Sequence, residues 1–149
     1  MLKKTVTYED FDGNTRTEDL YFNLTQTEAT EFALELPDRV TSSITENDTD
    51  EQIASKFVEQ IGGKGVFEFI KKLVLKSYGV KSLDGRRFIK KPELAEEFSQ
   101  TLAYDQFIMD LMQNETAAAE FVNAVIPASL AEKVQTMRSN NAQIQPPQQ

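Results

Sequence analysis

Two different spacings separate the hydrophobic positions of the chain. Over residues 3–24 they recur every second position: Val6 and Tyr8 alternate with Thr5, Thr7 and Glu9, and Leu20, Phe22 and Leu24 alternate with Tyr21 and Asn23. A period of two is that of a half-buried strand, and the β-branched and aromatic residue types suit a pleated surface. Asp12-Gly13-Asn14 separates the two arms, and Gly and Asn tolerate the positive φ that a tight turn needs. A β-hairpin over 3–24 is predicted. Because an isolated hairpin is marginal in water, it must pack on the rest of the chain.

From residue 25 the spacing becomes helical. Thr25 followed by Glu28 is a capping-box pattern, Ala29, Phe32, Ala33 and Leu36 form one apolar face, and Pro37 stops the helix. Residues 38–47 read as loop. A second helix starts near Asp48 or Thr49, carries Ile53, Phe57 and Ile61 at intervals of four, and ends at Gly62-Gly63. Over 64–78 Val66, Phe69, Ile70, Leu73 and Val74 form a stripe, with Lys71, Lys72 and Lys76 off it. Gly79 then stands where a left-handed C′ residue belongs. Residues 80–91 contain a second Asp-Gly turn, Asp84-Gly85, but are too short and too charged for a strand to be assigned. Pro92 suits a first helical position, followed by Leu94 and Phe98. Tyr104, Phe107, Ile108, Leu111 and Met112 make one more stripe. Asn114 caps another, formed by Ala118, Phe121, Val122, Val125 and Ile126, which together predict an αα-hairpin. Pro127 breaks it, and a short helix is expected over Ala128–Arg138.

Residues 139–149 are mainly Asn, Gln and Pro, with Ser139, Ala142, a single Ile144 and no charged side chain, a composition expected to stay disordered. The expected fold class is α+β: a mainly α-helical body with an N-terminal β-hairpin. It forms a single globular domain over 1–138, hairpin 3–24 and body 25–138, followed by the tail.

Composition narrows the chemistry. With 149 residues the chain has room for one ordinary domain. It has no Cys and no His, which removes disulfides, thiolate nucleophiles, imidazole bases, catalytic triads and zinc motifs of the HExxH type. No apolar run approaches the ~20 residues of a membrane span, and no apolar stretch follows Lys3-Lys4, which argues against secretion. No enzymatic activity is expected, and no catalytic, cofactor-binding or metal-binding residue is assigned.

Charge is segregated within the net −8. Residues 1–60 hold 14 acids and 5 bases, residues 61–91 hold 2 acids and 9 bases, and residues 92–149 hold 8 acids and 2 bases. An acidic molecule repels phosphate overall, so nucleic acid is not an expected partner. The basic middle is read instead as a solvated helix face or as a docking surface for acidic segments, including those of a second copy, in a salt-sensitive self-association. Asp48-Thr49-Asp50 begins like a calcium loop, but Ile53 occupies the position that needs Gly, so helix capping accounts for it better. Gly62-Gly63-Lys64-Gly65 lacks phosphate-loop spacing and reads as a helix break. Candidate protein-binding residues are Lys71, Lys72, Lys76, Arg86 and Arg87 from the basic segment and Phe107, Leu111, Phe121 and Val125 from the late stripes.

Several ordered stretches carry a resemblance. They are the run from Tyr8 through Asp12-Gly13-Asn14 to Leu24, Lys76-Ser77-Tyr78-Gly79 with Asp84-Gly85-Arg86-Arg87-Phe88-Ile89-Lys90, and Ala117-Ala118-Ala119-Glu120-Phe121-Val122-Asn123 before Val125-Ile126-Pro127. Together, over about residues 3–127, the chain resembles the tail assembly chaperones of long-tailed siphophages of Gram-positive bacteria. The resemblance implies a non-enzymatic protein that holds the tape measure protein soluble until tail tube protein polymerises around it. It also implies action in the host cytoplasm, absence from the mature virion, and a longer form made by frameshifting. It supplies no residue-level site. Two other classes compete: a structural tail or connector component of the virion, and a small nucleic-acid-binding regulator using residues 64–91.

Overall fold

The computed structural model describes residues 1–126, 130 and 133–139. The alternating N-terminal segment forms strands β1 (Leu2–Glu9) and β2 (Thr15–Phe22), antiparallel, with Leu2 opposite Phe22 and Glu9 opposite Thr15. At the turn the Gly13 N–H donates to the Asp10 carbonyl at 3.0 Å and the Asp10 N–H to the Asn14 carbonyl at 2.8 Å. Gly13 has φ +82°, the left-handed value for which glycine is suited. The Asp10 carboxylate accepts from the Asp12 and Asn14 N–H groups and from the Arg16 guanidinium, which hold its pKa below the usual value.

The sheet extends beyond the hairpin. Strand β3 (Tyr78–Lys81) pairs with β2, and β4 (Phe88–Ile89) pairs with β3, giving a four-stranded antiparallel sheet in the order β1-β2-β3-β4. Two expectations are corrected here. Residues 80–91 do supply strand, because pairing with an existing sheet edge satisfies a backbone too short and charged to be stable alone. Gly79 is not a left-handed helix-end residue: it is extended in β3, opposite Tyr21, and the preceding helix ends on extended Tyr78. Glycine is needed there for close approach. A Cβ on Gly79 would lie 2.7 Å from the Ile89 carbonyl oxygen and from the Phe88 ring.

Helix α1 (Gln26–Glu35) begins with the capping box: the Glu28 N–H donates to the Thr25 hydroxyl, and the Thr25 N–H donates to the Glu28 carboxylate. A single turn, α2 (Asp38–Thr41), stands where loop was expected. Its Val40 is fully buried, so tertiary packing folds a segment whose own pattern is weak. Helix α3 (Asp50–Ser77) is capped by Thr49, with Gln52 reaching back to the Thr49 N–H. Asp48 instead pairs with Lys56 at 2.6 Å and accepts from the Thr45 N–H. Gly62, at φ 74° and ψ 170°, interrupts α3, so the two predicted helices are its two arms.

Helix α4 (Pro92–Ser99) starts on its proline, and α5 (Leu102–Gln113) and α6 (Glu115–Val125) form the expected αα-hairpin. At their junction Asn114 caps α6 by accepting from the Ala117 N–H. Leu130 and residues 133–139 are helical, within the helix expected over Ala128–Arg138 and one residue past it at Ser139. Ser139, the first residue of the tail expected to be disordered, is thus helical, and Pro127 and residues 140–149 lie outside the described residues. The Arg138 guanidinium donates to the Leu34 and Leu36 carbonyls, both at 3.0 Å, and to Asp38, tying this helix to the end of α1.

The core centres on Phe22, 0% exposed, which stacks on Phe107 at 5.0 Å, meets Phe121 edge-on at 5.2 Å, and lies near Tyr78 and Phe98. A second aromatic group, Phe32, Phe69 and Phe57, joins α1 to both arms of α3. Each such buried side chain contributes about 1.5–3 kcal/mol.

Candidate partner-binding surface

The broken helix creates an apolar concavity. An unbroken α3 would present one straight face, whereas the left-handed Gly62 turns its arms against each other and α6 packs into the angle. Between them lies a cleft of about 260 Å³. Ile53, Ala54, Phe57 and Val58 line it from the first arm, and Gly63, Val66, Phe69 and Ile70 from the second. Leu111 and Met112 close one end, and Glu115, Ala118, Ala119 and Val122 of α6 complete the wall. Glu115 is the one charged side chain in a lining that is otherwise apolar. Alanines on α6 and glycine at 63 explain why the space stays open: they are too small to fill it. Val58, at the mouth, is 44% exposed.

The candidates named from the sequence fall into three places. Leu111 lines the cleft. Phe107, Phe121 and Val125 are buried, the first two against Phe22, and present no free surface in this fold. The basic residues are dispersed. Lys72 and Lys76 both reach Glu35 of α1, at 2.9 and 3.8 Å, and their ammonium groups also lie over the Phe32 ring. Lys71 pairs with Glu68 at 3.8 Å and covers the Phe67 ring. Lys71 and Lys72 also border an open depression with Leu75 and Tyr104. Arg86 and Arg87 sit exposed on the β3–β4 turn, and neither enters an ion pair among the described residues.

Much of the basic segment therefore meets acids of its own chain. Lys72 hydrogen-bonded to Glu35 holds that carboxyl below its ordinary pKa. Burial alone would raise the Glu28 carboxyl. Hydrogen bonds from Lys90, at 2.6 Å, and from the Thr25 N–H outweigh it and hold Glu28 low. Lys90 also donates to the Asn23 carbonyl, so one ammonium group joins the sheet to α1.

Sequence reading missed the cleft's other lining residues, above all Val58, Met112, Ala118 and Val122. The signal was present in two places, the Gly62-Gly63-Lys64-Gly65 break and the Ala117-Ala118-Ala119 run. Nothing in the sequence says that they face each other. Among the described residues no group of three or more potential ligands is placed to hold a metal ion, and no helix is long and apolar enough to cross a membrane.

A family model described as phage tail assembly chaperone matches residues 1–149. No curated protein matches the chain, and no solved structure matches it.

Proposed function

Because the chain belongs to the phage tail assembly chaperone family over its full length, we propose that it binds the tape measure protein and keeps it soluble while the tail is assembled. The observation that carries this reading is the apolar cleft between the arms of α3 and α6. A long, aggregation-prone client has apolar surface that must be covered before assembly, and a concave apolar cleft fits an apolar stripe of such a chain. The exposed Val58 at the mouth allows a client side chain to enter without unfolding the host. On this reading the protein works in the host cytoplasm during infection, contacts the tail tube protein only as the client is handed over, and is absent from the finished virion. Catalysis has no part in it.

Co-expression tests the proposal. The tape measure protein should stay in the soluble fraction and co-purify with this chain, and should precipitate without it. Val58→Asp places a charge at the exposed mouth. It should abolish co-purification while leaving the variant's own unfolding midpoint near that of the wild type. A tape measure protein equally soluble with and without the chain would overturn the reading.

A further inference from the structure

The outer edge of β1 has no strand partner among the described residues, and its chemistry is self-complementary. The Asp10 N–H bonds to the Asn14 carbonyl, so positions 10 and 14 form a hydrogen-bonded pair in the hairpin. Pairs of this kind alternate along an antiparallel ladder, which leaves the N–H and C=O groups of Lys3, Thr5, Thr7 and Glu9 pointing away from β2. β1 is the terminal strand of the sheet, and no backbone bond from these four groups to another segment occurs among the described residues. The side chains of the same four residues stand on the exposed face, whereas Val6 of the alternate set is buried.

We propose that two copies of this protein associate by pairing β1 with β1 in antiparallel fashion about a twofold axis at Val6, making one continuous eight-stranded sheet. Charge selects this arrangement. With Val6 opposite Val6, Lys3 of each copy, which also pairs with Asp19 of its own chain at 3.5 Å, falls opposite Glu9 of the other, and Thr5 falls opposite Thr7. All four are positions with outward-pointing backbone groups, so each facing pair can exchange both hydrogen bonds. Sliding the register by two residues sets one of the charges against a threonine and the other against Phe11 or Met1, and in-register parallel pairing sets Lys3 against Lys3 and Glu9 against Glu9. Edge lysines ordinarily deter strand pairing. Here the matching acid lies on the same face, six residues along. The same register brings Phe11, 79% exposed at the hairpin turn, beside Met1 of the other copy, itself 64% exposed. A thioether against an aromatic ring is a favourable contact. The interface is separate from the cleft, so this inference and the tape measure reading can fail independently.

Sedimentation equilibrium on the full chain tests it with a charge swap. The wild type should show a concentration-dependent dimer. Lys3→Glu and Glu9→Lys should each weaken their own homodimers, by about three- to tenfold in Kd, because each places like charges opposite one another twice. An equimolar mixture of the two variants should dimerise more tightly than either alone, since every cross-strand pair is then Lys against Glu. Thr5→Pro removes an outward N–H and should abolish the dimer, with circular dichroism verifying the monomer's fold. A wild type monomeric at every concentration, or a mixture that associates no better than the single variants, would overturn the proposal.

Discussion

Two apolar regions of this protein are built from the same helices and end in opposite states. Around Phe22, rings from β2, α5 and α6 close on one another at 5.0–5.5 Å and exclude solvent. On another face of α6, Ala118 and Val122 face the arms of α3 across an open cleft. Hydrophobicity does not separate the two, since both are lined by apolar residues. Side-chain size and backbone continuity do. Large rings on regular elements fill their space, whereas small residues beside a broken helix leave it open.

If that contrast is right, truncation should be costly on one side and almost free on the other. Phe22→Ala leaves a cavity among four aromatic neighbours and should lower stability by about 3–5 kcal/mol. Val58→Ala should cost no more than about 0.5 kcal/mol. Urea denaturation of both variants measures the difference, and equal losses would erase the distinction between a closed and an open region.

Glycine substitutions sharpen the same contrast. Gly79→Ala would push a methyl against the Ile89 carbonyl and the Phe88 ring beneath the sheet, at a cost of about 1–3 kcal/mol. Gly63→Ala meets nothing within 4 Å at the cleft, so helix propensity should leave stability unchanged or raise it by up to ~1 kcal/mol. Thermal melts of the pair should therefore move in opposite directions or differ clearly in size.

The smallest effect concerns the ion pairs of Glu28 with Lys90 and of Asp48 with Lys56. Glu28 and Asp48 both have folded pKa values held below the ordinary carboxylate range. Their contribution is therefore fully present above the unfolded pKa and is lost as pH falls through the depressed folded values. Stability should be level from neutral pH down to about 5 and should decline below about 4.5. Glu28→Gln should flatten part of that decline. A urea midpoint that rises on acidification would contradict the sign.

The elements themselves were largely legible in the chain because their causes are local. The two-residue alternation around Asp12-Gly13-Asn14, the Thr25–Glu28 capping box, the Asn114 cap and the stop at Gly62 each depend on neighbours within a few positions. Strands β3 and β4 were not legible. Residues 78–81 and 88–89 become strand only because β2 offers them an edge, and α2 becomes helix only because Val40 is buried and Arg138 reaches across to Asp38. The candidate binding residues divide in the same way. Amphipathic stripes showed that Phe107, Phe121 and Val125 face something, but not that they face the core.

The sequence by itself determined the hairpin and the longer helices, the helix caps and breaks, the absence of imidazole and thiol chemistry, and the likeness that led to the family. Only the tertiary structure decided which lysines meet Glu35, where the apolar stripes close and where they stay open, and that one strand edge carries complementary charges at its two ends. The physical reason is range. Backbone propensity and capping act over one or two turns, whereas a cleft or a sheet edge is set by segments tens of residues apart, whose meeting is decided by packing.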